Sequence, residues 1–320
     1  MDITNMHIDD ILKKVKRIHF IGIGGAGMCP LAEILIQLGY NVSGSDNNDT
    51  ETFRRIEKEG AKVYLGQVKE NITDDVELVI YTNAILKGNE ELEYAKANFP
   101  CFERAELLGA MSRIFSNCIG VCGTHGKTTT SSMLTQILLD AGLDPSAVIG
   151  GKLPVINAYG RFGHSQNFVC ESCEFNNTFL HMNPDIAVIL NIDEDHLDFF
   201  KDLADIRASF RKFAQLLPAD GTLFINGDIE NWQEITEGLA CRVVTFGTTS
   251  ASDYYPSDIS YNKTADATFT VHSLNGQTRQ LTLGVPGEHN ISNALAAVAL
   301  SDLLGIDYQD TAEALLNFHG

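Results

Sequence analysis

The chain of 320 residues contains no apolar stretch approaching the roughly 18 residues of a membrane span, so membrane insertion is not expected. It is also short of basic residues: 23 Lys and Arg stand against 42 Asp and Glu, a formal net charge of −19. A surface that negative repels phosphate backbones and anionic lipid, so no nucleic-acid or membrane-surface partner is expected. A local basic pocket for a small anion remains compatible with it. Cysteine is sparse and odd in number: seven residues in a large, ordinary chain argue against a disulfide framework. Cys170 and Cys173 form one CxxC pair, but no second pair stands at zinc-finger spacing, and the pair reads as two reduced thiols beside a strand. The N-terminus, Met1-Asp2-Ile3-Thr4, and the basic run 13–17, with only six apolar-leaning residues before the first glycines, match neither a signal nor a transit peptide. The cytoplasm is the simplest compartment. Internal repeats and low-complexity linkers are lacking too.

What is present is an ordinary globular composition, 44% hydrophobic and 20% charged. The length suggests about two domains. Apolar strands, glycine or polar turns and amphipathic helices alternate, the mark of a parallel α/β sheet. Residues 18–23 read as a first strand, 28–38 as a helix with Leu31, Ile34, Leu35 and Leu38 on one face, and Gly39 as its stop. Strands at 40–44, 62–65 and 78–81 continue the series. Near residue 105 the pattern restarts with a strand at 117–122 and a helix at 129–140, whose Met133, Leu134, Ile137 and Leu138 point inward. Strands follow at 168–170, 186–190, 222–225 and 242–246, with a helix at 203–217. Residues 268–285 differ: two alternating strands flank Asn275-Gly276, a hairpin signal. An Ala/Leu-rich helix spans about 291–304.

Two glycine loops carry the chemistry. Gly22-Ile23-Gly24-Gly25-Ala26-Gly27 fits G-x-G-x-x-G between a strand and a helix, where glycines allow a tight turn and close backbone approach to phosphate. The following helix points its free N–H groups at the bound anion. Asp46 lies 19 residues after Gly27, the place of a ribose-binding acid, so NAD is the first candidate from this motif alone. A purely structural glycine turn is the alternative. The second loop, Gly123-Thr124-His125-Gly126-Lys127-Thr128, again joins strand to helix. Backbone N–H groups there can wrap phosphates, Lys127 can reach the terminal phosphates, and the Thr128 hydroxyl can ligate Mg²⁺. Val121 stands where the general Walker pattern has its first glycine, so the loop is the shorter G-x-x-G-K-T. Glu171 falls at the end of one strand and His196 beyond another, in Asn191-Ile192-Asp193-Glu194-Asp195-His196-Leu197-Asp198. A carboxylate and an imidazole at adjacent strand ends could hold Mg²⁺ bridging nucleotide phosphates. Taken singly, the acids of 193–198 read as a solvated loop.

These residues resemble a known family, the cytoplasmic Mur ligases of peptidoglycan synthesis. The likeness is carried by 18–28, Gly44-Ser45-Asp46, the loop 123–130, 191–198, and Gly287-Glu288-His289-Asn290-Ile291-Ser292-Asn293-Ala294, in family order across essentially the whole chain. It implies a Rossmann-like parallel-sheet domain over 1–107, then a P-loop ATPase-type α/β domain with a small β-hairpin region over 108–320. A third domain would follow Gly320 and help close the site. The first domain would hold UDP-N-acetylmuramate rather than NAD, with Gly22, Gly24, Gly25, Ala26, Gly27, Ser45, Asp46, Thr82 and Asn83 near it. The second would bind ATP through Gly123, Thr124, His125, Gly126, Lys127, Thr128 and Thr129, with Asn290 and Asn293 near the adenine. His125 could face either substrate. Lys127, Glu171 and His196 would be catalytic, and Thr128, Glu171 and His196 would hold Mg²⁺, with Mn²⁺ as a substitute.

The implied reaction joins L-alanine to the lactyl carboxylate of UDP-N-acetylmuramate through an acyl phosphate. The implied enzyme is a bacterial cytoplasmic monomer or weak homodimer. Sister ligases carry a carbamylated lysine near the metals; Arg211 and Lys212 offer no assignable counterpart. Rival readings are a ligase that recycles preformed peptide onto the same sugar nucleotide, an NAD-dependent oxidoreductase, and a non-catalytic UDP-sugar-binding module.

Overall fold

The computed structural model describes residues 7–320, and the N-terminal residues read above as lacking a targeting signal lie outside the described residues. Two compact units form, one from the residues up to Ile114 with 150–152 and 156–162, the other from 115–149, 153–155 and 163–320.

The first unit begins with a short helix, α1 (Ile8–Leu12), and continues as β1 (Arg17–Ile21), α2 (Cys29–Gln37), β2 (Asn41–Asp46), α3 (Glu51–Lys58), β3 (Lys62–Leu65), β4 (Leu78–Tyr81), α4 (Glu90–Asn98), β5 (Cys101–Glu103) and α5 (Arg104–Ser112). Its five strands are all parallel, in the order β3-β2-β1-β4-β5. β1 lies in the middle and is buried from Ile18 onward, as expected for a strand covered on both faces. The short α1 and the helices α3, α4 and α5 were not legible as periodic patterns. α3 is mostly polar, and its N-cap hydroxyl, Thr50, accepts from the Phe53 N–H. α4 is rich in Glu and Lys and is capped by Asn89. α5 carries a capping box between Glu103 and Glu106. The pattern restart near 105 therefore falls inside α5, and the compact units divide after Ile114.

The remaining elements are β6 (Asn117–Cys122), α6 (Lys127–Asp140), β7 (Ser146–Leu153), β8 (Ala158–Arg161), β9 (Asn167–Glu171), a 3₁₀ segment (Phe175–His181), β10 (Ile186–Ile189), α7 (Leu203–Ala214), β11 (Thr222–Asn226), α8 (Gln233–Thr236), β12 (Arg242–Phe246), β13 (Tyr255–Tyr261), β14 (Asp266–His272), β15 (Thr278–Pro286), α9 (His289–Leu303) and α10 (Tyr308–Leu316), all in the second unit except β8 and residues 150–152 of β7. Seven strands form one sheet, β12-β11-β10-β6-β9-β7-β8, and β13-β14-β15 form a separate antiparallel sheet. The hairpin around Asn275-Gly276 thus gains a third strand. Pro256 cannot donate to a ladder, which suits β13 to an edge and weakened its signal in the sequence. β14 alternates buried and half-buried residues, so one face packs and one is wet.

Candidate phosphate loops and the cavity of the first unit

The first glycine loop is held by β2. Gly22 and Ile23 donate their N–H groups to the Ser45 carbonyl at 2.8 and 3.0 Å, and the Gly24 N–H donates to Asp46 Oδ2 at 3.0 Å. Asp46 Oδ1 accepts from the Asn48 N–H at 2.9 Å. Each Asp46 oxygen thus accepts one backbone N–H, and the side chain also lines the cavity beside the loop. Thr52 Oγ1 donates to the Gly24 carbonyl, closing the loop from α3. A cavity of about 550 Å³ opens beside it, lined by Gly22, Gly24, Gly25, Asp46, Thr82 and Asn89 among others. Ser45, expected near the ligand, is instead fully buried, with its Oγ donating to Glu91 at 2.6 Å. Ala26, Gly27 and Asn83 do not line the cavity either. Gly27 faces the Arg104 side chain, and the Asn83 amide donates to Glu103 at 3.0 Å. The loop Ile85–Gly88 and Gln67 complete the cavity wall, and no motif pointed to them.

The second loop is built at the end of β6, the strand between β9 and β10. Glu171 and the loop holding His196 therefore leave strands that flank β6, and are not on adjacent strands as the sequence reading had it. The difference is a crossover, which no local pattern encodes. Asn191 clamps the loop: its Oδ1 accepts from the His125 N–H at 2.7 Å and its Nδ2 donates to the His125 carbonyl at 3.0 Å. His125 itself points outward and is exposed. Thr124 Oγ1 accepts from the Asp193 N–H at 2.9 Å. Gly126 has φ +82°, and a Cβ there would stand 2.6 Å from Asn293 Oδ1. Asn293 and Asn290 are buried and bonded to each other at 3.0 Å, and Asn290 also donates to the Pro286 carbonyl. Asn293 thus packs under the loop rather than presenting an open surface to a base.

The charged groups converge on Glu174, which sequence reasoning passed over. Its carboxylate is buried and accepts from Lys127 Nζ at 2.9 and 3.1 Å, while the same ammonium donates to the Gly123 and Thr124 carbonyls. His196 Nε2 lies 3.8 Å from Glu174 Oε1, an oxygen that Lys127 also contacts; His196 has φ +52° and its ring sits 4.8 Å from that of Phe175. Thr128 Oγ1 donates to Glu171 Oε2 at 2.8 Å. The available signal was the spacing Glu171-x-x-Glu174 across the end of β9. Burial pushes the thiols of Cys122 and Cys173 up, so neither supplies a thiolate beside these groups. All seven cysteines are free. Among the described residues no set of three or more His, Cys, Asp or Glu is arranged to hold a metal by itself. Arg211 turns away from the site to the carbonyls of Glu234 and Glu237 at the end of α8.

Residues 121–301 match the Mur ligase middle domain, and residues 17–116 the Mur ligase family catalytic domain. The chain belongs to the Mur ligase family. Within it, a UDP-N-acetylmuramate–L-alanine ligase of Agathobacter rectalis is 46% identical over 304 residues, 95% of this chain and 66% of that protein. The chain spans about two-thirds of the length of such Mur ligases. Two of the solved structures that share its fold illustrate the likeness. One is a UDP-N-acetylmuramate-alanine ligase of Thermotoga maritima, TM-score 0.83 at 30% identity, covering 95% of this chain and 69% of that one. The other is a UDP-N-acetylmuramate:L-alanyl-gamma-D-glutamyl-meso-diaminopimelate ligase of Neisseria meningitides, TM-score 0.84 at 29% identity, covering 96% of this chain and 99% of that one. No helix among the described residues of this chain is long and apolar enough to cross a membrane.

Proposed function

We propose that the chain is the nucleotide- and sugar-binding part of a bacterial cytoplasmic ligase that joins L-alanine to UDP-N-acetylmuramate at the expense of ATP. The observation that carries this is the second loop: Lys127 inside a strand–loop–helix phosphate cradle, with Thr128 on Glu171 and Lys127 on Glu174. In this reading the backbone N–H groups of 126–129, at the N-cap and first turn of α6, grip the nucleotide phosphates. Lys127 exchanges Glu174 for the γ-phosphate, moving its charge to where anionic repulsion between carboxylate and phosphate must be offset. Asn293 braces the loop from beneath Gly126, and Asn290 in turn holds Asn293.

The oxygen and imidazole groups of Thr128, Glu171, Glu174 and His196 suit Mg²⁺ or Mn²⁺. They are too few to hold the ion without phosphate oxygens, as is usual for a nucleotide-borne divalent cation. When bound, the ion neutralises phosphate charge. The lactyl carboxylate attacks the γ-phosphorus and ADP leaves. The amine of L-alanine then attacks the acyl phosphate carbonyl, and phosphate departs with the carboxylate oxygen.

The first-unit cavity is assigned to the UDP-sugar: diphosphate on Gly22–Gly25, with Asp46 orienting the loop. The Neisseria structure's name fits the peptide-recycling alternative equally well by fold, whereas curated relatives at 41–46% identity are named as alanine ligases. A thermal-shift comparison tests the assignment. UDP-N-acetylmuramate and MgATP should each raise the unfolding temperature and NADH should not; a shift with NADH alone would overturn it.

A further inference from the structure

Beneath the first glycine loop lies a buried polar cluster that nothing in the proposed chemistry uses. Glu91, in the first turn of α4, is fully buried, as are His19 on β1 and Ser45 on β2. His19 Nε2 lies 2.9 Å from Glu91 Oε1, Ser45 Oγ donates to Glu91 Oε2 at 2.6 Å, and His19 Nδ1 lies 2.9 Å from Ser43 Oγ. A buried glutamate is retained at a cost in desolvation unless its oxygens are bonded, and here both are. A hydrophobic residue would pack β1 against α4 at least as cheaply. The cluster must therefore be judged by what it fixes in place.

It fixes the two walls of the cavity. On one side, the Ser45 carbonyl accepts the N–H groups of Gly22 and Ile23, and the next residue, Asp46, accepts the Gly24 N–H. On the other side, Asn89, two residues before Glu91, caps α4 through the Leu92 N–H at 2.9 Å and donates to Gln67 at 2.8 Å. Gly22, Gly24, Asp46, Gln67 and Asn89 all line the same cavity. One carboxyl group thus joins the strand that holds the glycine loop to the helix start that forms the opposite wall.

Resting on the assignment of this cavity to the UDP-sugar, we infer that Glu91 is a positioning residue for that substrate. It acts through Ser45 and through the first turn of α4, and sets the gap between the glycine loop and residues 87–89 without touching ligand. Networks of this kind hold groups that do touch ligand, and losing one commonly weakens binding by about tenfold or more.

The test compares wild type, Glu91→Leu and Glu91→Gln. Calorimetry with UDP-N-acetylmuramate and with MgATP is run on each, alongside amide hydrogen exchange. Glu91→Leu leaves His19 Nε2 and the Ser45 hydroxyl without their Glu91 partner and should weaken UDP-N-acetylmuramate binding by about tenfold or more with MgATP affinity unchanged. Amide exchange should quicken at 22–25 and 87–92 but not at 123–130. Glu91→Gln keeps an acceptor for His19 and offers an N–H to the Ser45 hydroxyl, so it should restore most of both. A residue that only stabilises the fold would lower the unfolding temperature and leave the affinity of folded protein and the exchange at 22–25 unmoved; that result overturns the inference. If wild type binds no UDP-N-acetylmuramate, the substrate assignment fails, and the exchange pattern still decides whether Glu91 sets the cavity walls. Should Glu91→Leu fail to fold, Ser45→Ala, which removes a single bond to Glu91, takes its place with the same expected split.

Discussion

At the scale of single residues, Lys127 and Glu174 form a mostly buried ion pair at the second glycine loop. The ammonium is mostly buried, and its carboxylate partner Glu174 more so, so the pair is held largely away from water; in the proposed function phosphate takes the place of the carboxylate. Lys127→Ala should therefore do two things. It removes a charge-assisted phosphate contact, costing about 1.5–3 kcal/mol of MgATP binding. It also strands a buried carboxylate, costing on the order of 3 kcal/mol of stability. Adding Glu174→Gln should recover the stability, read by urea unfolding, and leave nucleotide binding lost. Wild-type MgATP affinity in the single variant would show that the loop has another purpose. Glu171→Ala and His196→Ala are expected to weaken MgATP binding more than binding of metal-free ATP. Equal dependence on Mg²⁺ in variants and wild type, by titration calorimetry, would remove both from the ion's surroundings.

At the scale of elements, the turn after β1 is where sequence and packing agree most closely. A Cβ on Gly24 would meet Asp46 Oδ2, Thr50 Oγ1 and the Phe53 Cβ, each at 3.1 Å. Gly24→Val adds two further methyls in that space and fills the approach to phosphate. It should abolish UDP-N-acetylmuramate binding and lower stability by about 1–3 kcal/mol through overpacking. Unimpaired binding by that variant would move the diphosphate elsewhere. The strand–loop–helix units were legible because each is written locally: an apolar run, glycines at the turn, then helical periodicity. The short or polar pieces were not. α3 and α4 owe their existence to caps and to one buried face, Phe53 and Ile56 in α3 and Glu91 and Ala95 in α4, too few to set a period. β7 and β8 have weak strand chemistry, with Gly150-Gly151 in one and Gly160 in the other, and depend on sheet neighbours for their conformation.

At the scale of the whole molecule, two compact units each carry one glycine loop, so the two ligands should stabilise separate transitions. In scanning calorimetry at 100 times its dissociation constant, a ligand should add about 2.7 kcal/mol to the unit that binds it. A ligand that stabilised both units equally would contradict the division of sites.

The sequence by itself determined the alternation of strands and helices, the two glycine loops with Lys127 and Thr128 in register, and the family, because each lies in contiguous residues. Tertiary structure alone decided that β6 stands between β9 and β10, that Asn191 and Asn293 brace the phosphate loop from far along the chain, and that Ser45 faces inward to Glu91. It also brought Glu174 onto Lys127. The physical reason is common to all four. Strand order and long-range hydrogen bonds are settled by which buried polar groups find partners once the sheets close, and a buried group's partner need not lie near it in the chain.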